Sequence, residues 1–290
     1  MLSLALLAAG CRPPPPAVSP KAYFGPTDPI DVVIRDINLN NTRVQTLWAS
    51  GTFEANLVDE NRKSHFVNGT VTLVHEKPSG LRVIGSKDLA GTVFDIGSND
   101  DRYWLIVAGD VDTMWWGRYD APRADDGDTG IPIRPELIIE VLGIGDIETN
   151  LRRDPVPVMR FNNDADAYML VWHVSLPDRI VAQKEVWYDR QTKRPKLVLL
   201  FDEHGRVVLR AYPSRFVPLP GDDGRPDPLG PQVASVYDLF FPDTRSSLRL
   251  EFEDVLPSND GAPSELSFRF PTPQRAKVSK IISLDGDRGS

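Results

Sequence analysis

A single cysteine, Cys11, and only four histidines occur in this chain of 290 residues. One thiol excludes an internal disulfide, so stability has to come from burial. His65, His75, His173 and His204 fall in different segments and show no metal-ligand spacing. There is no G-x-S-x-G elbow, no P-loop and no G-x-G-x-x-G after a strand pattern. Local motifs supply no set of nucleophile, base and orienting group, and an enzyme is not expected. Positive charge is also short: 33 Lys and Arg face 41 Asp and Glu, for a net charge of −8, with no basic cluster. Nucleic acid and polybasic binding to lipid headgroups are therefore disfavoured. The body carries no apolar run near the roughly 18 residues of a spanning helix and is expected to be water-soluble.

The one cysteine sits in "LLAAGCRPPPPAVSP" (Leu6 to Pro20). Apolar residues Leu2 to Ala9, then Gly10, lead into Cys11 as in a signal segment cut before that residue. The stretch resembles a bacterial lipobox. This implies that residues 1–10 are removed and that Cys11 becomes an acylated membrane anchor. Pro13 to Pro16 and Pro20 fix φ and remove backbone donors. Residues 11–27 thus read as an extended tether of about 3 Å per residue.

Residues 28–284 read as one domain, and 285–290 as a disordered tail. Ile30, Val33, Ile34, Ile37, Val44 and Leu47 recur at helical spacing, with Asp28 placed as an N-cap before Pro29. This predicts one long or twice-broken helix, which "NLNN" (Asn38 to Asn41) interrupts. After Trp48 the period becomes two: Phe53, Ala55 and Leu57 share one face, and a turn at Asp59 to Lys63 makes a hairpin with Val67, Val71 and Leu73. Further strands are expected at 81–85, 91–97, 102–109, 113–119, 166–175, 184–189, 196–202, 206–212 and 247–255, with a last one at Glu265 to Phe270. A short helix is expected around Leu137, Ile138, Val141 and Leu142, with Gly143 or Gly145 ending it. The fold class is mainly β: a curved antiparallel sheet of about 10–11 strands forming an unclosed half-barrel, with helices covering its open face.

The acidic turn "ADDGDTG", with Asp125, Asp126 and Asp128, lacks the spacing of a calcium loop and reads as solvated. What stands out is apolar surface on both faces of several strands, as in "YWLIV", "MLVW" and "LVLLF". A sheet with one wet face alternates, so a second layer must cover these strands. Either helix and loop pack there, or an apolar cavity accepts a ligand. Phe94, Ile96, Trp104, Trp115, Trp116, Leu137, Ile138, Val141, Leu142 and Trp172 are the candidate lining residues.

The order "LWASGTFEANLVDE", "GTVTLVHEKPSGLRVIGSKDLAGTVFDIGSNDDRYWLIV", "VWYDRQTKRPKLVLLFDEHGRVVL" and "LSFRFPTP" resembles the bacterial LolA/LolB-like lipoprotein-carrier superfamily. The resemblance covers most of Asp28 to Pro273 and rests on turn-and-strand patterns. It implies an unclosed barrel whose apolar interior shelters acyl chains, and a lipid or acylated lipoprotein as partner. LolB-like members are lipid-anchored, as Cys11 is here expected to be. Arg12 after Cys11, in place of Asp, points by analogy to the outer membrane. The helices around Val33 to Leu47 and Leu137 to Leu142 are expected to line or gate the cavity. No cofactor or metal is expected. The competing expectation is a structural lipoprotein with a filled core that recruits an envelope protein through a sheet edge.

Overall fold

A computed structural model describes residues 22–58, 62–87, 91–109, 111–121, 139–176, 178–221, 225, 227–257, 266–272 and 278–286. Cys11, the tether prolines Pro13 to Pro16 and Pro20, Leu137, Ile138 and the acidic turn at 123–132 lie outside the described residues.

One sheet of 14 strands dominates, and its two ends do not pair with each other. The first half is a meander: β1 (Thr46–Val58), β2 (Ser64–Glu76), β3 (Gly80–Lys87), β4 (Gly91–Ser98), β5 (Arg102–Val107) and β6 (Thr113–Arg118). The chain then crosses to the far edge and returns through β7 (Val158–Asn162), β8 (Ala167–Ser175), β9 (Ile180–Asp189), β10 (Pro195–Phe201), β11 (Val207–Pro218), β12 (Gln232–Phe241) and β13 (Ser246–Leu256). Pairing of β13 with β1 welds the two meanders together. A final strand, β14 (Lys280–Ser283), adds to β6 in parallel, the one parallel pair among the described residues. The large unclosed, mainly antiparallel sheet expected from the sequence is therefore present, with more strands than expected.

The additional strands are β7, β12 and β14. β12 buries Val233, Ala234, Ser235, Val236 and Tyr237 in succession. Being covered on both faces, it shows none of the alternation by which a strand is recognised. The expected last strand at Glu265 to Phe270 is not one: Leu266–Phe268 form a turn. Their backbone carbonyls accept from side chains, Ser267 from Arg82 at 3.1 Å and Phe268 from Asn99 at 3.0 Å. Those bonds replace a ladder, and the segment lies on the outer face of the sheet.

The expected helix is shorter than its apolar pattern. α1 spans Ile30–Asn41 and buries Val33, Ile34 and Ile37. Val44 follows in the connection and Leu47 lies on β1, so one apolar stripe serves two element types in turn. Asp28 is not the cap: Pro29 holds that position without a side-chain bond. The Asp28 carboxylate instead accepts from Lys193 Nζ and the Tyr168 hydroxyl, both at 3.0 Å. Those two bonds, Lys193 first, hold its carboxyl below the ordinary range.

Two glycines of the first meander make room for aromatic rings of the neighbouring strand. Gly85 opposes Phe94 and Gly97 opposes Trp104 across adjacent strands. In each pair the aromatic ring lies where the glycine's Cβ would be. Missing side chains let neighbouring strands bend over one another, and the rings fill the space that remains.

Candidate functional site

The inner face of the sheet carries the main apolar cluster, which draws on both meanders, on α1 and on residues 141–147. Of the candidate lining residues, Phe94, Ile96, Trp115, Val141, Leu142 and Trp172 belong to it. Trp104 and Trp116 do not. Along β5 and β6, Tyr103, Leu105 and Trp115 point inward, so the intervening Trp104, Ile106, Met114 and Trp116 face outward. There they form a second cluster closed by Phe270, whose ring meets Trp104 at 5.7 Å and Trp116 at 5.6 Å. The tryptophans on both faces of "MWWG" reflect a doubly covered strand, not a doubly lined cavity.

The crossing between the two meanders places the residues that sequence reasoning missed. It includes a single helical turn at residues 139–141, after which the chain runs irregularly through 148. Val141, Leu142, Ile144 and Ile147 are all buried in the main cluster. Gly143 turns the backbone at φ +67 and lies against Pro195 of β10, where a side chain would collide. Asn38 acts as a peptide mimic: its Nδ2 donates to the Ile147 carbonyl at 2.7 Å, and its Oδ1 accepts from the Ile147 N–H at 2.9 Å. Asn41 Nδ2 donates to the Gly145 carbonyl at 2.8 Å. Lys77 Nζ closes the join, 2.6 Å from Asp146 Oδ1 and 2.7 Å from the Asn41 carbonyl. "NLNN" thus fastens the crossing to α1, whose last residues it forms.

Glu140 lies in that helical turn, and Lys184 answers it. On β9, Lys184 is cross-strand to Trp172 of β8 and to Leu200 of β10, two members of the apolar cluster. A lysine in such a row needs a compensating partner. Its Nζ lies 2.6 Å from Glu140 Oε2 and 4.5 Å from the centre of the Trp172 ring. The Lys184 side chain is 18% exposed and that of Glu140 36%. Tyr188, two cross-strand rows along the same face, is buried; burial first, and then the Glu140 charge, push its phenol far above the ordinary value. The site is therefore an apolar wall with the Lys184 ammonium set into it. Periodicity could not find Lys184, because it occupies an apolar phase of β9; a charged residue at that phase is the only signal.

A shallow depression of about 140 Å³ lies elsewhere, between exposed Phe66 and Phe240, beside Asn56, Ser247 and Arg249. Among the described residues no group of three or more His, Cys, Asp or Glu is placed to hold a metal ion. No helix among them is long and apolar enough to cross a membrane.

No protein-family model matches the chain, and no curated protein matches it in sequence. Solved structures do match in fold. A DUF1329 family protein from Desulfovibrio piger superposes with a TM-score of 0.52 at 10% identity, over 84% of this chain and 100% of that one. An outer membrane lipoprotein-sorting domain from Vibrio parahaemolyticus, provisionally named, gives 0.48 at 13% identity over 82% and 98%. A LolA superfamily protein from Nitrosomonas europaea gives 0.45 at 11% identity over 77% and 91%. Likeness at these identities speaks to fold alone. The chain thus shares its overall fold with the DUF1329 family protein across most of both chains.

Proposed function

We propose that this chain is a lipid-anchored protein of the bacterial cell envelope whose cargo is a lipid or the acyl chain of a lipoprotein, held against the inner face of the unclosed sheet. The observation that carries this reading is the segment 141–147. An irregular stretch of four buried aliphatic side chains, rather than a strand, occupies the inner face between the two meanders. Removing chain methylenes from water supplies about 0.8 kcal/mol each, so a sixteen-carbon chain offers on the order of 10 kcal/mol before ordering costs. No bond is made or broken. In this reading Cys11 carries the anchor and the folded domain faces the periplasm from the outer membrane.

The test is expression of the chain without Cys11, gentle purification, native mass spectrometry and extraction of bound lipid. A stoichiometric co-purifying lipid is the expected result. Protein that is lipid-free and takes up no fluorescent fatty acid overturns the reading.

A second reading, a structural lipoprotein that recruits a protein partner, draws on the packing of the same face. Phe53 meets Phe94 edge-on at 5.0 Å, and both are buried. Lipid entry therefore requires side chains or the crossing segment to move. The same mass spectrometry separates the two, since a scaffold stays empty.

A further inference from the structure

We infer that residues 140–147 are an internal stand-in for the ligand, and that the ligand is an anionic amphiphile whose head group takes the place of Glu140 on Lys184. The inference rests on the carriage reading and names its substrate class. The segment begins with a carboxylate and continues with Val141, Leu142, Ile144 and Ile147, all buried in the main apolar cluster. A negative head followed by hydrocarbon is the chemistry of a fatty acid or of a lipid phosphate. Lys184 is suited to such a head because its cross-strand neighbours are Trp172 and Leu200, so no other carboxylate approaches it along its sheet row. Its ammonium rests over the Trp172 ring at 4.5 Å, which would steady it as one anion leaves and another arrives.

The fastening of the segment fits exchange. Its polar ties, from Asn38, Asn41 and Lys77, run to the stretch 143–147. Among the described residues, the Glu140 end is tied across the sheet by the ion pair to Lys184, with the adjacent Ile139 packed against the apolar cluster. Losing that pair removes the polar tie at the head of the segment and leaves only apolar packing there, while its tail stays sewn to α1. An arriving carboxylate or phosphate restores the ion pair, and its chain covers the apolar face that Val141 and Leu142 leave. The exchange conserves charge and buried hydrocarbon, so a modest surplus in the ligand's favour is enough to drive it.

The experiment uses the chain without Cys11, delipidated, with three probes: palmitate, dodecyl phosphate and the neutral 1-monopalmitoylglycerol. Wild type, Lys184→Met, Lys184→Arg and Glu140→Gln are titrated by displacement of a fluorescent fatty acid, and their folding is checked by circular dichroism. Lys184→Met is expected to weaken palmitate or dodecyl phosphate by about tenfold or more, the scale of a lost charge-assisted hydrogen bond. Lys184→Arg retains most of the affinity, and Glu140→Gln tightens the anionic probe. Whichever of palmitate and dodecyl phosphate shows the larger Lys184 dependence identifies the head group. Equal losses for the neutral and anionic probes overturn the inference while leaving carriage standing, as does an unchanged Lys184→Met. Failure of all three probes to bind wild type overturns the carriage reading itself.

Discussion

Trp104 lies across Gly97 on the adjacent strand, its indole filling the volume that a Cβ at residue 97 would occupy. The same indole donates to Asp95 Oδ1 at 3.3 Å, and Asp95 also pairs with Arg82 at 2.7 Å. Gly97→Ala therefore displaces a fully buried ring and strains the ion pair beneath the C-terminal segment. The expected cost is about 2–3 kcal/mol, the range for overpacking a core, read from urea unfolding. A variant as stable as wild type would mean that Trp104 repacks freely.

His75 makes stability depend on pH. It is buried, and its Nδ1–H donates to the Gly80 carbonyl at 2.7 Å. Burial, the dominant cause, lowers its pKa to about 4 against the Gly80 bond. The unfolded chain therefore binds the extra proton first, near the ordinary value of about 6.5. Stability is full above that value and falls as the pH drops from there to about 4, by on the order of 3 kcal/mol. Unfolding midpoints measured across this window, with His75→Gln as the flatter control, check the claim.

Tyr237, buried on the inner face, has no hydrogen-bond partner for its hydroxyl among the described residues and lies next to Phe252 at 6.2 Å between ring centres. An unmade buried bond costs about 1–3 kcal/mol. Tyr237→Phe is expected to leave the thermal midpoint unchanged or raise it. A fall of several degrees in calorimetry would reveal that the hydroxyl has a partner after all.

Asn41 is buried and donates to the Gly145 carbonyl. Asn41→Ala leaves that carbonyl unpaired and is expected to cost about 2 kcal/mol. Hydrogen exchange gives the sharper readout. Protection should fall in the peptide covering 143–147 well before it falls in β1 or β13, because the asparagine ties that segment and no strand.

The strands legible in the sequence are those with one wet face, such as "SLRLEFEDV", where Leu248, Leu250 and Phe252 are buried and the residues between them are not. β12 escaped because both of its faces are covered, and β14 because four residues carry no period to read. The site was legible in its apolar part and not in its polar part. Phe94, Ile96, Trp115 and Trp172 announce themselves by type, whereas Trp104 and Trp116 needed a known register before their face was determined. The roles of Asn38, Asn41, Glu140 and Lys184 depend on contacts between residues far apart in the chain, |i−j| = 109 for Asn38 and Ile147, and no local pattern encodes them.

The pairing of β1 with β13 brings together residues as distant as Ser50 and Asp254, 204 positions apart. During synthesis one flank of the opening strand stays bare until nearly the whole polypeptide has emerged. Contacts of such long range make for slow folding and prolong exposure of an unpaired edge.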